Sequence, residues 1–438
     1  MNIDAQRWLD RWVGIPLCAA VSAFDALINR GKPASAEITA PRAIVVILLS
    51  EMGSLVLAHD MFARLKTRYP DAQLHALLFG KNREILDLMD VIAPANVHVV
   101  DDKSLPGLLR SLWKALTDLR RANIDVAIDC ELFSRISSLL SFASGATVRV
   151  GFHRHTQEGL YRGSHINRAV PYNPYQHISA QFLTLARAID STAVPKSKLP
   201  VMVQTKPPPH VQLAAALITN IEARLATDFP AIAGKPLVLV YPGGGILPIR
   251  AWPLASYTAL CEGLVADGCA VAVIGLKEDQ ALAQQLVAQV KAGIDQQKNP
   301  SGRSEGPPRA SPAPSGGSEL QAVSSVGAIV DLTGYTRSIA ELLALFHKAS
   351  LLVTNDGGPG QFAALTPIWT VMLFGPETPS LYAPLTPKCY SFYSQWPCSP
   401  CLTAYNHRSS FCDGDNQCLK VIAPEAVLAK ARECLAGA

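Results

Sequence analysis

The sequence predicts an α/β protein with two Rossmann-like, doubly wound parallel-sheet domains that face each other across a cleft. The first observation is length: 438 residues exceed what one hydrophobic core usually organises, so two domains of about 200 residues each are expected. The second is that apolar runs of strand length alternate with segments of helical periodicity in both halves, which is typical of parallel sheets covered by helices. The third is a Pro-Pro-Pro run at 207–209, which cannot continue a helix and marks the domain junction.

Composition narrows the classes of partner. Hydrophobic residues make up 49% of the chain and charged residues 17%, enough apolar matter for two cores. A net charge of +4 is too small to indicate a nucleic-acid partner, and it fits an anionic small ligand or an anionic membrane surface. Because the chain has neither 18 uninterrupted apolar residues nor a secretion signal at its start, a cytoplasmic location is expected.

The lead-in segment, 1–41, contains an amphipathic stretch at 7–30. Trp8 and Trp12 share one face of the predicted helix, and arginines flank its apolar part. Such a helix can lie in a membrane interface, here the cytoplasmic face of the inner membrane. It can equally dock on the protein's own core, because Trp and Arg serve both purposes. Both interpretations stay open at this point.

The first domain, 42–206, begins the alternation of strands and helices. Its predicted strands are 43–49, 73–79, 97–100, 124–129 and 147–152, and its predicted helices are 55–69, 82–89, 105–122, 134–144 and 176–189. Residues 153–175 are polar and aromatic without periodicity, so they predict a long loop that is either functional or disordered.

The second domain, 207–438, repeats the pattern. Its predicted strands are 236–241, 270–274, 328–332, 351–353 and 368–374, and its predicted helices are 211–227, 254–267, 279–290 and 339–348. An insert at 292–325 is rich in Pro, Gly, Ser and charge with almost nothing to bury, which predicts a disordered surface loop. A cysteine-rich module follows at 389–420.

Three turns of the second domain predict a phosphate site. Each follows a strand of one parallel sheet, so all three lie at the carboxyl edge of that sheet and can face one ligand. Glycines let the main chain approach a ligand closely, and an arginine before the next helix can pair with a phosphate oxygen. The expected binding residues are Gly243, Gly244, Gly245 and Arg250 in the first turn, Thr333, Gly334 and Glu341 in the second, and Asp356, Gly357, Gly358 and Gln361 in the third.

Each of these residues also has an explanation without a ligand. A flexible loop explains the first glycine turn, since Gly-rich turns are common. Glu341 could accept hydrogen bonds from ribose hydroxyls, or be a solvated acid in the first turn of a helix. The three turns together favour a pyrophosphate at the mouth of the cleft.

Three motifs of the second domain resemble those of glycosyltransferase family 9, the family that contains the ADP-heptose:lipopolysaccharide heptosyltransferases. The motifs are PGGG…RAWP, LTG…IAEL and LVTNDGGPGQFAAL…MLFGP. The resemblance extends from about residue 42 to the end of the chain. The resemblance implies a GT-B fold and an inverting, metal-independent transferase without a catalytic cofactor. It implies a nucleotide-diphosphate sugar donor on the second domain and a lipopolysaccharide-type or other surface-glycan acceptor on the first. Two alternatives stay open: a nucleotide-sugar epimerase or hydrolase, and a non-catalytic member that binds the nucleotide sugar.

The chain departs from the family at several positions, among them His59 and Asp60, weaker base candidates that stand where the family usually has Thr-Pro. The family usually has Gly-Asp in the first turn, where the Asp is proposed to deprotonate the acceptor hydroxyl, but here the pair is Gly53 and Ser54. Serine alone is a poor base, so the candidate base is Glu51, which lies three residues before Ser54 on the same turn. The alternative is that Glu51 is only a solvated acid of this loop. Gln361 stands where the family usually has His.

Four cysteines predict a second, structural site. Cys398, Cys401, Cys412 and Cys418 form two close pairs, a spacing that suits tetrahedral zinc, with His407 as a substitute ligand. Unligated or disulfide-linked thiols are the alternative.

Overall fold

A computed structural model gives the architecture of the chain. It describes residues 8, 10–30, 40–49, 51–153, 161–198, 204–245, 247–298, 327–405 and 408–437. Within these ranges, twelve strands form two six-stranded parallel sheets with helices packed on them. The predicted class, two doubly wound parallel sheets, is therefore confirmed.

The first sheet has the strand order β3-β2-β1-β4-β5-β6. Its central strand is an unbroken apolar run whose five residues are all buried, as expected for a parallel strand covered on both faces. The strands are β1 (Ala43–Ile47), β2 (Gln73–Phe79), β3 (Val97–Val100), β4 (Val126–Asp129), β5 (Val148–His153) and β6 (Arg168–Pro171).

The second sheet has the order β12-β11-β10-β7-β8-β9. Its central strand β10 is also fully buried and pairs in parallel with β11 and β7. The strands are β7 (Leu237–Tyr241), β8 (Ala270–Val273), β9 (Ala328–Asp331), β10 (Leu351–Asn355), β11 (Trp369–Phe374) and β12 (Cys389–Tyr393).

The helices follow the strands along the chain. Those of the first half are α1 (Gly14–Ile28), α2 (Met52–Leu57), α3 (His59–Arg68), α4 (Arg83–Met89), α5 (Leu105–Arg121), α6 (Arg135–Ala143) and α7 (Ile178–Arg187). Those of the second half are α8 (Ala215–Asp228), α9 (Leu254–Ala266), α10 (Gln280–Lys298), α11 (Ile339–Lys348), α12 (Gly358–Ala363), α13 (Pro379–Tyr382), α14 (Gln417–Lys420) and α15 (Pro424–Ala436). We call the first sheet with α1–α7 the first lobe and the second sheet with α8–α15 the second lobe.

Two edge strands and one helix end differ from the sequence prediction. Strand β6 lies inside 153–175, which was expected to be irregular, and β12 was not predicted. Both are short strands at the edges of their sheets. Strand β6 contains an arginine, and β12 is half exposed. Helix α10 runs to Lys298, so the prediction that 292–298 is disordered is wrong. The first proline of the proposed insert is Pro300, so nothing before it interrupts the helix. Residues 299–325 of the insert lie outside the described residues.

The two lobes meet at the carboxyl edges of their sheets. Gly53, just beyond β1, packs so closely on Gln361, just beyond β10, that an added Cβ would lie 2.9 Å from the Gln361 Cγ. Elsewhere along the contact, Glu84 accepts a hydrogen bond from the Ala340 amide (2.9 Å). A continuous cluster of buried apolar side chains runs from one lobe into the other. Loops that follow the strands of both sheets therefore face a common interface.

The predicted domain boundary between 206 and 207 stays a prediction. The main chain on its two sides contacts different lobes. The Lys206 amide donates to the Asp60 carboxylate of the first lobe (2.9 Å). The Val211 amide donates to the Leu365 carbonyl of the second lobe (2.9 Å).

Candidate functional site

The glycine turn after β7 is tightly folded. An added Cβ on Gly244 would lie 2.7 Å from the Leu247 carbonyl oxygen, and one on Gly243 would lie 2.8 Å from the Tyr241 hydroxyl. Gly245 has φ of +61°, a left-handed conformation that L side chains rarely adopt. The main chain therefore requires glycine at Gly244 and the left-handed conformation favours it at Gly245, whether or not a ligand binds there, while Gly243 fits closely against the Tyr241 side chain.

Asn355, the last residue of β10, ties two of the predicted turns together. Its buried amide group donates to the carbonyls of Pro242 (3.1 Å) and Gly243 (2.9 Å). Its Oδ1 accepts from the Trp252 amide and the Tyr257 hydroxyl, both at 3.0 Å. The turns after β7 and β10 are thus fixed against each other and against α9. The sequence analysis did not assign this role to Asn355, although its place directly before Asp356 was a usable signal.

The turn after β9 lies further along the same edge. The Gly334 amide donates to the Gly275 carbonyl (2.9 Å), which joins this turn to the one after β8. Thr333 donates through both its amide and its hydroxyl to the Asp331 carboxylate. Strands β10, β7, β8 and β9 are consecutive neighbours, so the outer turns are roughly 14 Å apart at a spacing of about 4.8 Å per strand. An extended nucleoside diphosphate could span this edge.

Glu341 is already engaged by protein groups. Its two carboxylate oxygens accept from the Arg337 amide (3.0 Å) and pair with Arg224 (3.2 Å). Partial burial opposes ionisation, but these contacts outweigh it and lower the pKa of Glu341. A ribose contact at Glu341 stays a prediction.

A buried charge cluster occupies the edge where the turns after β7, β10 and β11 meet. Arg250 Nη2 donates to Glu377 Oε1 (2.5 Å), and Arg250 Nε lies 3.5 Å from Asp356 Oδ2. Glu377 is 2% exposed and Asp356 is 7% exposed. Burial raises the pKa of both carboxyl groups, that of Glu377 to about 7, and the positive charge of Arg250 opposes part of the shift. Titratable groups with shifted pKa values are concentrated at functional sites.

Glu377 was missed by the sequence analysis. It follows Gly375 and Pro376 at the end of β11, so its position at the carboxyl edge was a usable signal. Arg250 and Asp356, in contrast, were both predicted for the site, and the structure brings them together. Arg250 Nε and Asp356 Oδ2 have no hydrogen-bond partner among the described residues. These two atoms lie 3.5 Å apart, so they form an ion pair with each other rather than a hydrogen bond.

The predicted residues of the first lobe face this cluster. Ser54 Oγ donates to Glu51 Oε2 (2.9 Å), and Glu51, whose side chain is 42% exposed, forms an ion pair with Arg408 of the second lobe. Arg408 also reaches Glu377 Oε1 (3.3 Å), so it joins the first-lobe turn to the buried charge cluster. The sequence analysis did not find Arg408, because nothing in the loop between Cys401 and Cys412 indicates where its side chains lie.

Gln361 packs within the lobe interface. Its Nε2 donates to the Tyr382 carbonyl (2.6 Å), and its side chain contacts Gly53. The contact explains why residue 53 is a glycine. A role for Gln361 in orienting the donor sugar stays a prediction.

The cysteine-rich module borders the charge cluster. Asn416 donates to the Ile249 carbonyl (2.5 Å), next to Arg250. The cysteines form no disulfide among the described residues. Burial and the neighbouring thiols of Cys398, Cys401 and Cys412 raise the pKa of Cys418 to about 11, so the four cysteines share one region.

The zinc hypothesis for this module gains no support from the structure. Among the described residues, no three His, Cys, Asp or Glu side chains are arranged to hold a metal ion. The side chains as placed therefore do not fit a zinc site. His407, the substitute ligand, lies outside the described residues.

Helix α1 docks on the first lobe, and two tryptophans that precede it are exposed. Asp25 accepts two hydrogen bonds from Arg149 (both 2.9 Å), and Ser22 Oγ is 3.2 Å from His165 Nδ1. Trp8 and Trp12 are each 61% exposed. The segment Asp10–Ile28, with a mean hydropathy of 1.4, is long and apolar enough to cross a membrane by length and composition alone. The contacts of Asp25 and Ser22 support the docked interpretation, and contact with a membrane stays a prediction.

The sequence pattern of glycosyltransferase family 9 (heptosyltransferase) matches residues 109–297 and 318–410, together more than half of the chain. The chain is 25% identical over 347 residues to lipooligosaccharide heptosyltransferase 2 of Haemophilus ducreyi. That match covers 78% of this chain and 86% of the relative.

Two solved structures share the fold. The ADP-heptose lipopolysaccharide heptosyltransferase II of E. coli superposes with a TM-score of 0.61 at 19% identity, covering 90% of this chain and 99% of that one. A glycosyltransferase family 9 protein of Veillonella parvula superposes with a TM-score of 0.64 at 15% identity, covering 93% and 100%. At these identities the similarity extends to the fold alone.

Proposed function

The chain belongs to glycosyltransferase family 9, and we propose that this glycosyltransferase moves heptose or a related sugar from a nucleotide-diphosphate sugar to a lipopolysaccharide-type or other surface-glycan acceptor. The family membership confirms the resemblance seen in the motifs. Support for the substrate class comes from the relative named as a lipooligosaccharide heptosyltransferase. The observation that carries the donor assignment is the position of Arg250, between two glycine turns at the carboxyl edge of the second sheet.

The donor site works by electrostatics. As the sugar–phosphate bond breaks, negative charge accumulates on the departing diphosphate, and preorganised donors stabilise this charge in a water-poor site. Arg250 supplies a buried positive charge, and the amides of Gly357 and Gly358 lie in the adjoining turn. Because a guanidinium can neutralise the leaving group, we expect transfer to continue in excess EDTA.

The acceptor side needs a base. In an inverting transfer, one group takes the acceptor proton while the acceptor oxygen attacks the sugar carbon from the face opposite the leaving diphosphate. Glu51 is the carboxylate of the first-lobe turn, and Ser54 and Arg408 orient its two oxygens toward the lobe interface. We assign Glu51 as the base and Ser54 as the hydroxyl that positions it.

The location follows from the acceptor and from α1. A glycolipid acceptor is held at a membrane surface, and the exposed residues in and around α1 include Trp8, Trp12 and Leu27, with Arg11 and Arg30 in the flanking chain. Tryptophan favours the membrane–water interface, and arginine favours anionic lipids. We propose that the enzyme acts at the cytoplasmic face of the inner membrane in peripheral contact with it.

A donor-consumption assay tests the function. The purified protein is first screened for thermal stabilisation by ADP-, UDP-, GDP- and dTDP-sugars, since a bound donor raises Tm with its occupancy. The stabilising donor is then incubated with and without a truncated lipopolysaccharide acceptor, and the products are separated by mass spectrometry. We expect consumption only with acceptor. An altered or hydrolysed sugar without acceptor would favour an epimerase or hydrolase, and binding without consumption would favour a non-catalytic member.

A further inference from the structure

Two arginines from different segments meet at one carboxylate oxygen. Arg250 Nη2 lies 2.5 Å and Arg408 Nε lies 3.3 Å from Glu377 Oε1. Two guanidinium groups repel each other unless an anion lies between them, and the repulsion grows as water is excluded. The ionised form of Glu377 is that anion in this structure. The pair of cations it holds has the geometry that a phosphate oxygen would also favour, since arginine forks match carboxylate and phosphate alike.

Arg408 is held from several sides. Its amide donates to the Thr403 carbonyl (2.9 Å), and its guanidinium lies 5.3 Å from the centre of the Tyr382 ring. The φ of Arg408 is +56°, a conformation that is strained for a non-glycine residue. Nearby, the Tyr405 ring packs on Phe133 of the first lobe, 5.5 Å between centroids. The fold thus holds this side chain, 17% exposed, at the lobe interface against a local conformational cost.

We propose that Arg408 is a second diphosphate-binding residue, which the cysteine-rich module contributes to the donor site alongside Arg250. This inference rests on the proposed function, because the ligand is the diphosphate of the nucleotide-sugar donor. A diphosphate carries more negative charge than one guanidinium neutralises, and two arginines on one side of it compensate that excess. Glu377 holds both guanidiniums in place when the donor is absent, so it acts as a positioning residue.

The proposal also explains why the cysteine-rich module lies at the cleft. Asn416 fixes the module to the main chain next to Arg250, and Arg408 extends from the same module toward Glu51 of the first lobe. The donor site is therefore built from two segments of the second lobe that are far apart in sequence. Tyr382 provides an aromatic surface under Arg408 and keeps its charge directed at the interface.

Calorimetric titration of the full chain with inorganic pyrophosphate, ADP and adenosine tests the proposal. The variants are Arg408→Gln, Arg408→Lys and the control Arg432→Ala, whose exposed guanidinium pairs with Asp267 away from the cleft. We expect Arg408→Gln to weaken pyrophosphate and ADP binding by roughly tenfold or more, the effect of losing one charge-assisted contact. Arg408→Lys should recover part of the loss, since it restores charge without the planar fork. Adenosine binding should not change in any variant.

The controls separate two kinds of failure. If Arg408→Gln binds pyrophosphate as tightly as Arg432→Ala does, while Arg250→Ala loses binding, the second cation is disproved and the proposed function stands. If the unaltered protein binds neither ADP nor pyrophosphate, and no other nucleoside diphosphate, the proposed function fails and this inference fails with it. Equal weakening of adenosine and pyrophosphate in Arg408→Gln would mean a purely structural role and would overturn the proposal. Arg408→Lys keeps the test valid if Arg408→Gln does not fold.

Discussion

At the scale of single residues, Glu377 holds the two arginines of the candidate site, Arg250 and Arg408. It is buried against Arg250 and also contacts Arg408. The sequence could supply Arg250 and Asp356, because each follows a strand whose position is set by an apolar run. It could not supply Glu377 or Arg408, because their partners are determined by how distant loops meet.

The raised pKa of Glu377 predicts a pH-dependent stability. Between about pH 4.5, the ordinary value, and about 7, the folded protein holds a proton that the unfolded chain has released. The free energy of unfolding therefore falls as pH rises through this window. Glu377→Gln mimics the protonated group, so its stability relative to the unaltered protein should increase from pH 5 to pH 8, on the order of 1–3 kcal/mol.

Urea unfolding of both proteins at pH 5, 6.5 and 8 measures this difference. Comparing the variant with the unaltered protein at each pH removes the contributions of the other titrating groups. A stability difference that is constant across the range would show that Glu377 is ionised throughout.

Asn355 predicts a second residue-scale effect. Asn355→Ala removes four buried hydrogen bonds that join the turns after β7 and β10 to α9. At about 1 kcal/mol for each bond, the free energy of unfolding should fall by roughly 3–4 kcal/mol. The control Asn220→Ala, on the exposed side of α8, should stay within about 0.5 kcal/mol of the unaltered protein. Chemical denaturation of the three proteins measures these free energies of unfolding. A decrease of less than 1 kcal/mol for Asn355→Ala would contradict the claim that Asn355 holds the turns together.

At the scale of elements, burial determined which predictions succeeded. Strands β1 and β10 are unbroken apolar runs because both faces of a parallel sheet are covered, so periodicity was sufficient to find them. Strands β6 and β12 lie at sheet edges, where fewer residues need to be apolar, and the short runs RAVP and CYSFY carry little signal. The end of α10 was misplaced because polar composition was interpreted as disorder where no residue breaks a helix.

Helix α1 predicts a membrane effect separate from catalysis. Replacing Trp8 and Trp12 together with Ser removes two exposed indoles but none of the docking contacts made by Asp25 and Ser22. We expect weaker sedimentation with vesicles that contain anionic lipid, and no change in Tm, because buried contacts are untouched. The control Val421→Ser removes an exposed apolar residue from the second lobe and should bind vesicles normally.

The contradicting results for α1 are equally direct. Vesicle binding that survives the double replacement would show that α1 does not contact the bilayer. A lowered Tm would instead show that the tryptophans pack on the protein, as the docked interpretation alone would require.

At the scale of the whole molecule, the two lobes meet through their functional loops. Glu51 contacts Arg408, and Gly53 packs on Gln361, so the turn that holds the candidate base touches the second lobe at a predicted donor-site residue and at an arginine that the sequence did not indicate. The facing of the two carboxyl edges was predictable, because chain order and parallel strands fix where each loop emerges. The contact pairs were not, because they depend on how the lobes pack.

The central claim is that Arg250 and the turns after β7 and β10 hold the diphosphate of the donor where the lobes meet. A crystal structure with the nucleoside diphosphate that most raises Tm tests it most directly. The account predicts phosphate oxygens within hydrogen-bond distance of the Arg250 guanidinium and of the Gly357 or Gly358 amide. A nucleotide bound to the first lobe, or phosphates directed away from Arg250 while Glu377 keeps its pairing, would contradict it.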